Sequence, residues 1–172
     1  MLLKQALQTL ESADAGDRPF LEADFLELQR KPRSAIRALA PALASEDVRI
    51  RAAALLYRGR LLQSMYATEK ALNDFRAAAQ VGSDHYLHAV TAQLGALCEL
   101  HRIDEARGLL EPLIRSLPAQ VDQNALVLIE NALVQLLNTY EKTGQHVAAA
   151  TLRDLAMQSP ANLSLTSDRQ PD

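Results

Sequence analysis

A three-point signature, Ala-x3-(large apolar)-x2-(small or apolar), recurs along this chain and restricts its fold more than any other feature. It stands at Ala35-x3-Leu39-x2-Ala42, at Ala71-x3-Phe75-x2-Ala78 and at Ala106-x3-Leu110-x2-Leu113, with a looser copy at Ala149-x2-Leu152 and Ala156. The opening alanines are 36, 35 and 43 residues apart. Apolar positions three and four apart fall on one stripe of a helix, and each signature follows a longer segment that also has helical apolar spacing. Turn residues separate the segments: Lys31-Pro32, Gly82-Ser83, Leu117-Pro118, Thr143-Gly144 and Ser159-Pro160. Self-similarity at this period is the mark of stacked helical hairpins, in which each hairpin exposes an apolar face that its neighbour covers.

The expected elements follow from the spacing. A first helix over residues 2–13 shows Leu3, Ala6, Leu7 and Leu10 on one face, and 13–17 breaks it. Hairpins are predicted over 18–44, 47–81, 85–116 and 122–158. Their helices lie at 19–30 and 33–44, 47–65 and 68–81, 85–100 and 103–116, and 122–142 and 145–158. Ser45 reads as an N-cap with Glu46 and Asp47 in the first turn, where acids favour the helix dipole. Residues 1–159 are expected to form one helical repeat domain, and 160–172, which lacks periodicity, a mobile tail. Composition agrees with an all-α class. Leu (31) and Ala (29) dominate, aromatics are 4% and Trp is absent, a mixture poor in strand formers.

The second predicted hairpin, Leu55-x3-Gly59-x2-Leu62-x8-Ala71-x3-Phe75-x2-Ala78, resembles a tetratricopeptide repeat. The third carries Leu94-Gly95-x2-Cys98, Asp104-Glu105-Ala106 and a closing Pro118, one residue short in its inter-helix turn. The fourth carries Tyr140-Glu141-Lys142-Thr143-Gly144 followed by Ala149, Ala156 and Pro160. In the first, Ala23 stands where the small residue of the first helix belongs. The resemblance covers roughly residues 18–160 and implies a right-handed α-α superhelix of four hairpins plus the N-terminal helix. Small residues (Gly59, Gly95) are then expected to admit the second helix of their own hairpin, and Phe75 and Leu110 to enter the gap between neighbouring hairpins. Helix 2–13 would cap one end. At the other, Leu155 and Met157 stay uncovered unless the tail or another chain sits on them, so a homodimer through the C-terminal helix is left open.

In repeats of this kind the first helices line a concave surface that binds an extended or helical peptide. Spacing assigns to that surface Ala53, Leu56, Tyr57, Arg60 and Gln63 in the second hairpin, and Ala89, Ala92, Gln93, Ala96 and Glu99 in the third. Asn131, Val134, Gln135, Asn138 and Glu141 follow in the fourth, and the first adds Phe20 and Asp24. Gln93, Gln135 and Asn138 offer amides to a bound backbone, while Tyr57, with Leu56, is the expected anchor. The family's carboxylate-clamping set of Lys, Asn and Arg is not reproduced, because Leu56, Tyr57, Ala89, Ala92 and Gln93 stand there.

Catalytic and cofactor patterns fail by inspection. The six glycines (16, 59, 82, 95, 108, 144) are scattered, so there is no phosphate-cradling loop, and neither Gly-x-Ser-x-Gly nor His-Glu-x-x-His occurs. His85 and His88 have a spacing able to share a metal, with Asp84 beside them, but a site needs three or four ligands. His101 and His146 fall in turns. Cys98 is read as a buried, inert thiol. Residues 1–66 carry a charge of +2 and 67–172 a charge of −5. Arg30, Lys31, Arg33 and Arg37, with the pairs Arg49/Arg51 and Arg58/Arg60, are read as a solvated face. No nucleic acid, cofactor or metal is expected, nor any membrane insertion or secretory signal, and the location expected by default is cytoplasmic.

The function expected is a non-enzymatic scaffold or adaptor that binds a protein or peptide in its groove. Two alternatives stand beside it: an oligomerising assembly factor or chaperone of a secretion or envelope machine, and a ligand-sensing module of a signalling or transcription system.

Overall fold

A computed structural model describes residues 14, 16–81, 84–118, 122–161 and 163. The helix expected at 2–13 and nearly all of the tail lie outside the described residues. What is described is all-helical, with no strand among those residues. The helices are α1 (Arg18–Leu28), α2 (Pro32–Ala38), α3 (Ala40–Leu43), α4 (Val48–Ser64), α5 (Thr68–Gln80), α6 (Tyr86–Glu99), α7 (Ile103–Ser116), α8 (Gln123–Lys142) and α9 (His146–Met157). The chain divides into two compact units, Met1–Ala89 and Val90–Asp172.

Four turns between paired helices are built alike. Each has one residue in the left-handed region: Arg30 (φ 57°), Tyr66 (60°), His101 (57°) and Gly144 (73°). The N–H of the following residue reaches the carbonyl five positions back, Lys31 to Leu26, Ala67 to Leu62 and Arg102 to Leu97 at 2.9 Å each, and Gln145 to Tyr140 at 2.8 Å. The left-handed residue itself donates three positions back, to Glu27, Gln63, Cys98 and Glu141. This is the Schellman closure, which satisfies the last carbonyls of a helix and reverses the chain. Each left-handed residue lies five positions before a signature alanine. Ala35, Ala71, Ala106 and Ala149 are all fully buried, so the sequence period corresponds to a repeated local structure.

In the first unit, Ala23, Ala35, Leu39, Tyr57 and Leu61 form a buried cluster, against which Phe20, Leu26, Ile36 and Leu43 pack. Helices α4 and α5 meet closely at Gly59. A Cβ there would lie 2.7 Å from Cδ1 and 2.9 Å from Cζ of Phe75, so Phe75 packs directly on its own hairpin's glycine. Arg58 forks onto the mostly buried Asp74, Nε to Oδ2 at 2.7 Å and Nη2 to Oδ1 at 2.6 Å, tying α4 to α5.

The expected helix 33–44 is interrupted at Leu39. Pro41 has no N–H for the carbonyl of Arg37, and its ring crowds that carbonyl, so α2 stops and α3 restarts as a short segment. The N-cap of α4 is Asp47, not Ser45. Asp47 Oδ1 accepts from the Arg49 N–H at 2.8 Å, and Ser45 Oγ accepts from the Asp47 N–H at 3.2 Å. The Arg49 N–H, and then the Arg49 guanidinium, hold the Asp47 carboxyl below its ordinary value.

In the second unit, the buried face of α8 (Ile129, Leu133, Leu136, Leu137 and Tyr140) packs against α7 and α9, whose Ile103, Leu110, Ile114, Ala149 and Leu152 are also buried. Asp122 caps α8, its Oδ2 accepting from Asn124 N at 2.9 Å and Ala125 N at 3.1 Å. Gly95 meets the carboxamide of Gln135 on α8, to which a Cβ would lie 3.4 Å from Oε1 and 3.5 Å from Nε2. That close approach is to the next hairpin's first helix, where the sequence had assigned it to its own second helix. The start of the tail also differs from expectation. Leu163 is only 4% exposed, and the buried Ser159 Oγ donates to the Ile114 carbonyl at 3.5 Å, a bond that ties the chain just after α9 to α7.

Candidate partner-binding surface

The sequence-predicted groove residues fall into two groups, one in each unit. In the first, the heptad-like spacing of Phe20, Asp24 and Glu27 on α1 sets these side chains toward Tyr57 of α4. Tyr57 is 9% exposed and donates its hydroxyl to Asp24 Oδ1, with Glu27 Oε2 at 3.0 Å. Burial first, and then these two carboxylates, push the Tyr57 phenol far above its ordinary value, because ionisation would place a third negative oxygen beside them. The Arg60 guanidinium lies 5.4 Å from the Tyr57 ring centroid, a cation–π distance. Tyr57 is therefore an internal clasp between α1 and α4, not the open anchor that its spacing suggested. Leu56 and Gln63 are half-buried, and Gln63 is engaged within the protein.

A cavity of about 370 Å³ in this unit is lined by Arg58, Leu62, Lys70, Asn73 and Asp74. Its two strongest groups, Arg58 and Asp74, satisfy each other.

In the second unit, α6 and α8 bring Glu99, Gln135 and Asn138 to one cavity of about 300 Å³, which Cys98, His101, Thr139, Lys142 and Thr143 complete. The α8 contribution is a single stripe, positions 135, 138/139 and 142, at helical spacing. Gly95, having no side chain, lets the Gln135 carboxamide lie against α6. Thr139 Oγ1 donates to the Gln135 carbonyl at 2.8 Å, and Thr143 Oγ1 to the Thr139 carbonyl at 2.9 Å, so both threonines hold fixed orientations. Cys98 forms part of the wall. Burial raises its thiol above the ordinary value, against the lowering influence of Thr139, which keeps it protonated and weakly nucleophilic. The site offers amides, hydroxyls and an amine, the groups that hydrogen-bond a peptide backbone or a polar side chain.

The remaining predicted residues of this unit separate from that cavity. Gln93 is 5% exposed and engaged within the protein, so its amide is not open to a ligand. Asn131 is exposed. Glu141 pairs with Arg153 of α9, which draws it toward its own hairpin. Ala89 and Ala96 are buried, whereas Ala53, Ala92 and Val134 are half-buried. Sequence reasoning missed His101, Thr139, Lys142 and Thr143. Extending the Gln135–Asn138 stripe by one turn would have found the last three, and His101 joins them because its left-handed turn places it at the end of α6.

The chain matches no known family model and no curated protein sequence. Among the described residues no three His, Cys, Asp or Glu side chains gather as a metal site would require, and the His85 and His88 rings lie edge to face with centroids 6.3 Å apart. No described helix is long and apolar enough to cross a membrane.

Proposed function

We propose that this chain is a non-enzymatic protein-interaction module of tetratricopeptide-repeat type, a scaffold or adaptor that takes a partner peptide on the first helices of its hairpins. The observation that carries the reading is the convergence of Glu99, Gln135 and Asn138 on one cavity in the second unit. Three residues that the repeat resemblance, with its spacing, assigns to binding line one polar cavity on two helices. The repeated turns and the buried signature alanines support the repeat assignment, and a right-handed superhelix of four hairpins is the arrangement we assign to it. Binding would rest on hydrogen bonds from the Gln135 and Asn138 side chains to the backbone of the peptide.

Screening an immobilised peptide array with the wild-type chain and with the double variant Gln135→Ala/Asn138→Ala tests this. The expected outcome is that the peptides retained by the wild type are lost, with affinity down about tenfold or more for two removed hydrogen-bonding side chains. Both side chains are exposed, although Gln135 also lies against Gly95, so the melting temperature should fall by a few degrees at most, and circular dichroism checks that the fold is kept. Equal retention by the two proteins would overturn the assignment.

A further inference from the structure

We infer that the first unit carries a second docking surface, the cationic edge formed by Arg30, Lys31, Arg33 and Arg37, and that its occupant is an acidic protein segment. All four side chains are exposed. They sit on the α1–α2 turn and on α2, with Arg33 and Arg37 one helical turn apart, and residues 28–45 contain no Asp or Glu. Lys31 Nζ donates to the Gln29 carboxamide at 2.8 Å and Arg37 Nη2 to Ser34 Oγ at 3.3 Å. No carboxylate among the described residues pairs with any of the four.

Several arginines elsewhere are paired with acids. Arg49, Arg58, Arg102, Arg107, Arg115 and Arg153 each meet a carboxylate. On α1, which packs against α2, Asp24 and Glu27 accept from the Tyr57 hydroxyl and form no ion pair with any of the four. Among the described residues no ion pair relieves the repulsion within the edge, and carboxylates from outside would do so.

The chemistry of the edge selects the class of partner. Guanidinium groups match carboxylates in a two-pronged geometry. Leu28, 54% exposed at the border of the edge, offers apolar contact to a residue flanking an acidic run. A single nucleic-acid strand is held by aromatic stacking as well as by charge, and an anchor in a bilayer interface by aromatic residues as well as by cations. Residues 28–45 contain no Phe, Tyr or Trp.

The experiment is fluorescence anisotropy on the full chain at low and high salt with three probes: a labelled peptide of alternating Glu and Asp with one Leu, a single-stranded oligonucleotide, and phosphatidylserine vesicles. The acidic peptide should bind at low salt and weaken as salt rises, and Arg33→Glu/Arg37→Glu should lower its affinity about tenfold or more. Arg33→Gln/Arg37→Gln gives the same reading with a smaller loss should reversed charge disturb folding, which circular dichroism monitors. Gln135→Ala/Asn138→Ala should leave this binding unchanged, which separates the edge from the cavity of the second unit. Absence of peptide binding, equal affinity in the charge variants, or tighter binding of the oligonucleotide or vesicles would overturn the inference.

Discussion

Tyr57 shows how a single residue can be assigned to the right face and given the wrong role. Its position on α4 indicated an amphipathic side chain pointing away from its own hairpin, and the side chain does point toward α1. There it meets Asp24 and Glu27, three residues apart on α1, and becomes part of the packing. A phenol held between carboxylates ties stability to pH in one direction. Its folded pKa is raised above the unfolded value of about 10, so its contribution is complete below about pH 10. It is lost as pH rises from there toward the folded value. Tyr57→Phe should lower the stability of the first unit by about 1–2 kcal/mol at neutral pH, the range for a hydrogen bond to a charged acceptor that water can partly replace. The gap between wild type and variant should narrow above about pH 10. Urea midpoints measured from neutral to alkaline pH check both, and a gap that widens with pH would contradict the clasp. Gly59 was legible by contrast, because only a residue without Cβ leaves room for the Phe75 ring at that distance.

Among the elements, α7 carries an internal weakness that the sequence states openly. Pro112 lies inside it and cannot donate to the carbonyl four residues earlier, which belongs to Gly108. Both residues are exposed, and a Cβ at Gly108 would meet nothing within 4 Å, so neither contributes to packing. Pro112→Ala should therefore restore one backbone hydrogen bond and stabilise the second unit by about 1–3 kcal/mol, since proline in a helix interior costs about 3 kcal/mol relative to alanine. Thermal melting followed by circular dichroism checks this, and an unchanged or lower midpoint would mean that the packing of α7 depends on the irregularity. Helix boundaries were readable to within one or two residues, because caps and turn closures are local. The break at Leu39 does not show in the apolar spacing, which continues through Pro41, although proline controls the backbone whatever the apolar pattern.

At the scale of the whole molecule, one turn geometry is used four times and suits its residue only once. Gly144 adopts the left-handed region without strain, while Arg30, Tyr66 and His101 adopt it with a side chain, and Tyr66 does so at 96% exposure, where no packing offsets the strain. Replacing all three by glycine should raise stability by about 1–3 kcal/mol in total, near the sum of the single replacements, because the turns belong to separate hairpins. Denaturant unfolding of the three single variants and the triple variant checks the additivity. A triple variant no more stable than wild type would show that these turns are not strained.

The amino-acid order alone determined the period, the helical class, the approximate bounds of the described helices and the burial of Ala35, Ala71, Ala106 and Ala149. These rest on local spacing, and the backbone enforces local spacing within a few turns. Which surfaces met was decided only in three dimensions. Gly95 faces Gln135, Tyr57 is enclosed by α1, Leu163 is buried, three predicted binding residues line one cavity, Gln93 is buried and Glu141 pairs with Arg153. Such outcomes depend on contacts between residues tens of positions apart, where many apolar and polar partners satisfy the same spacing and packing chooses among them.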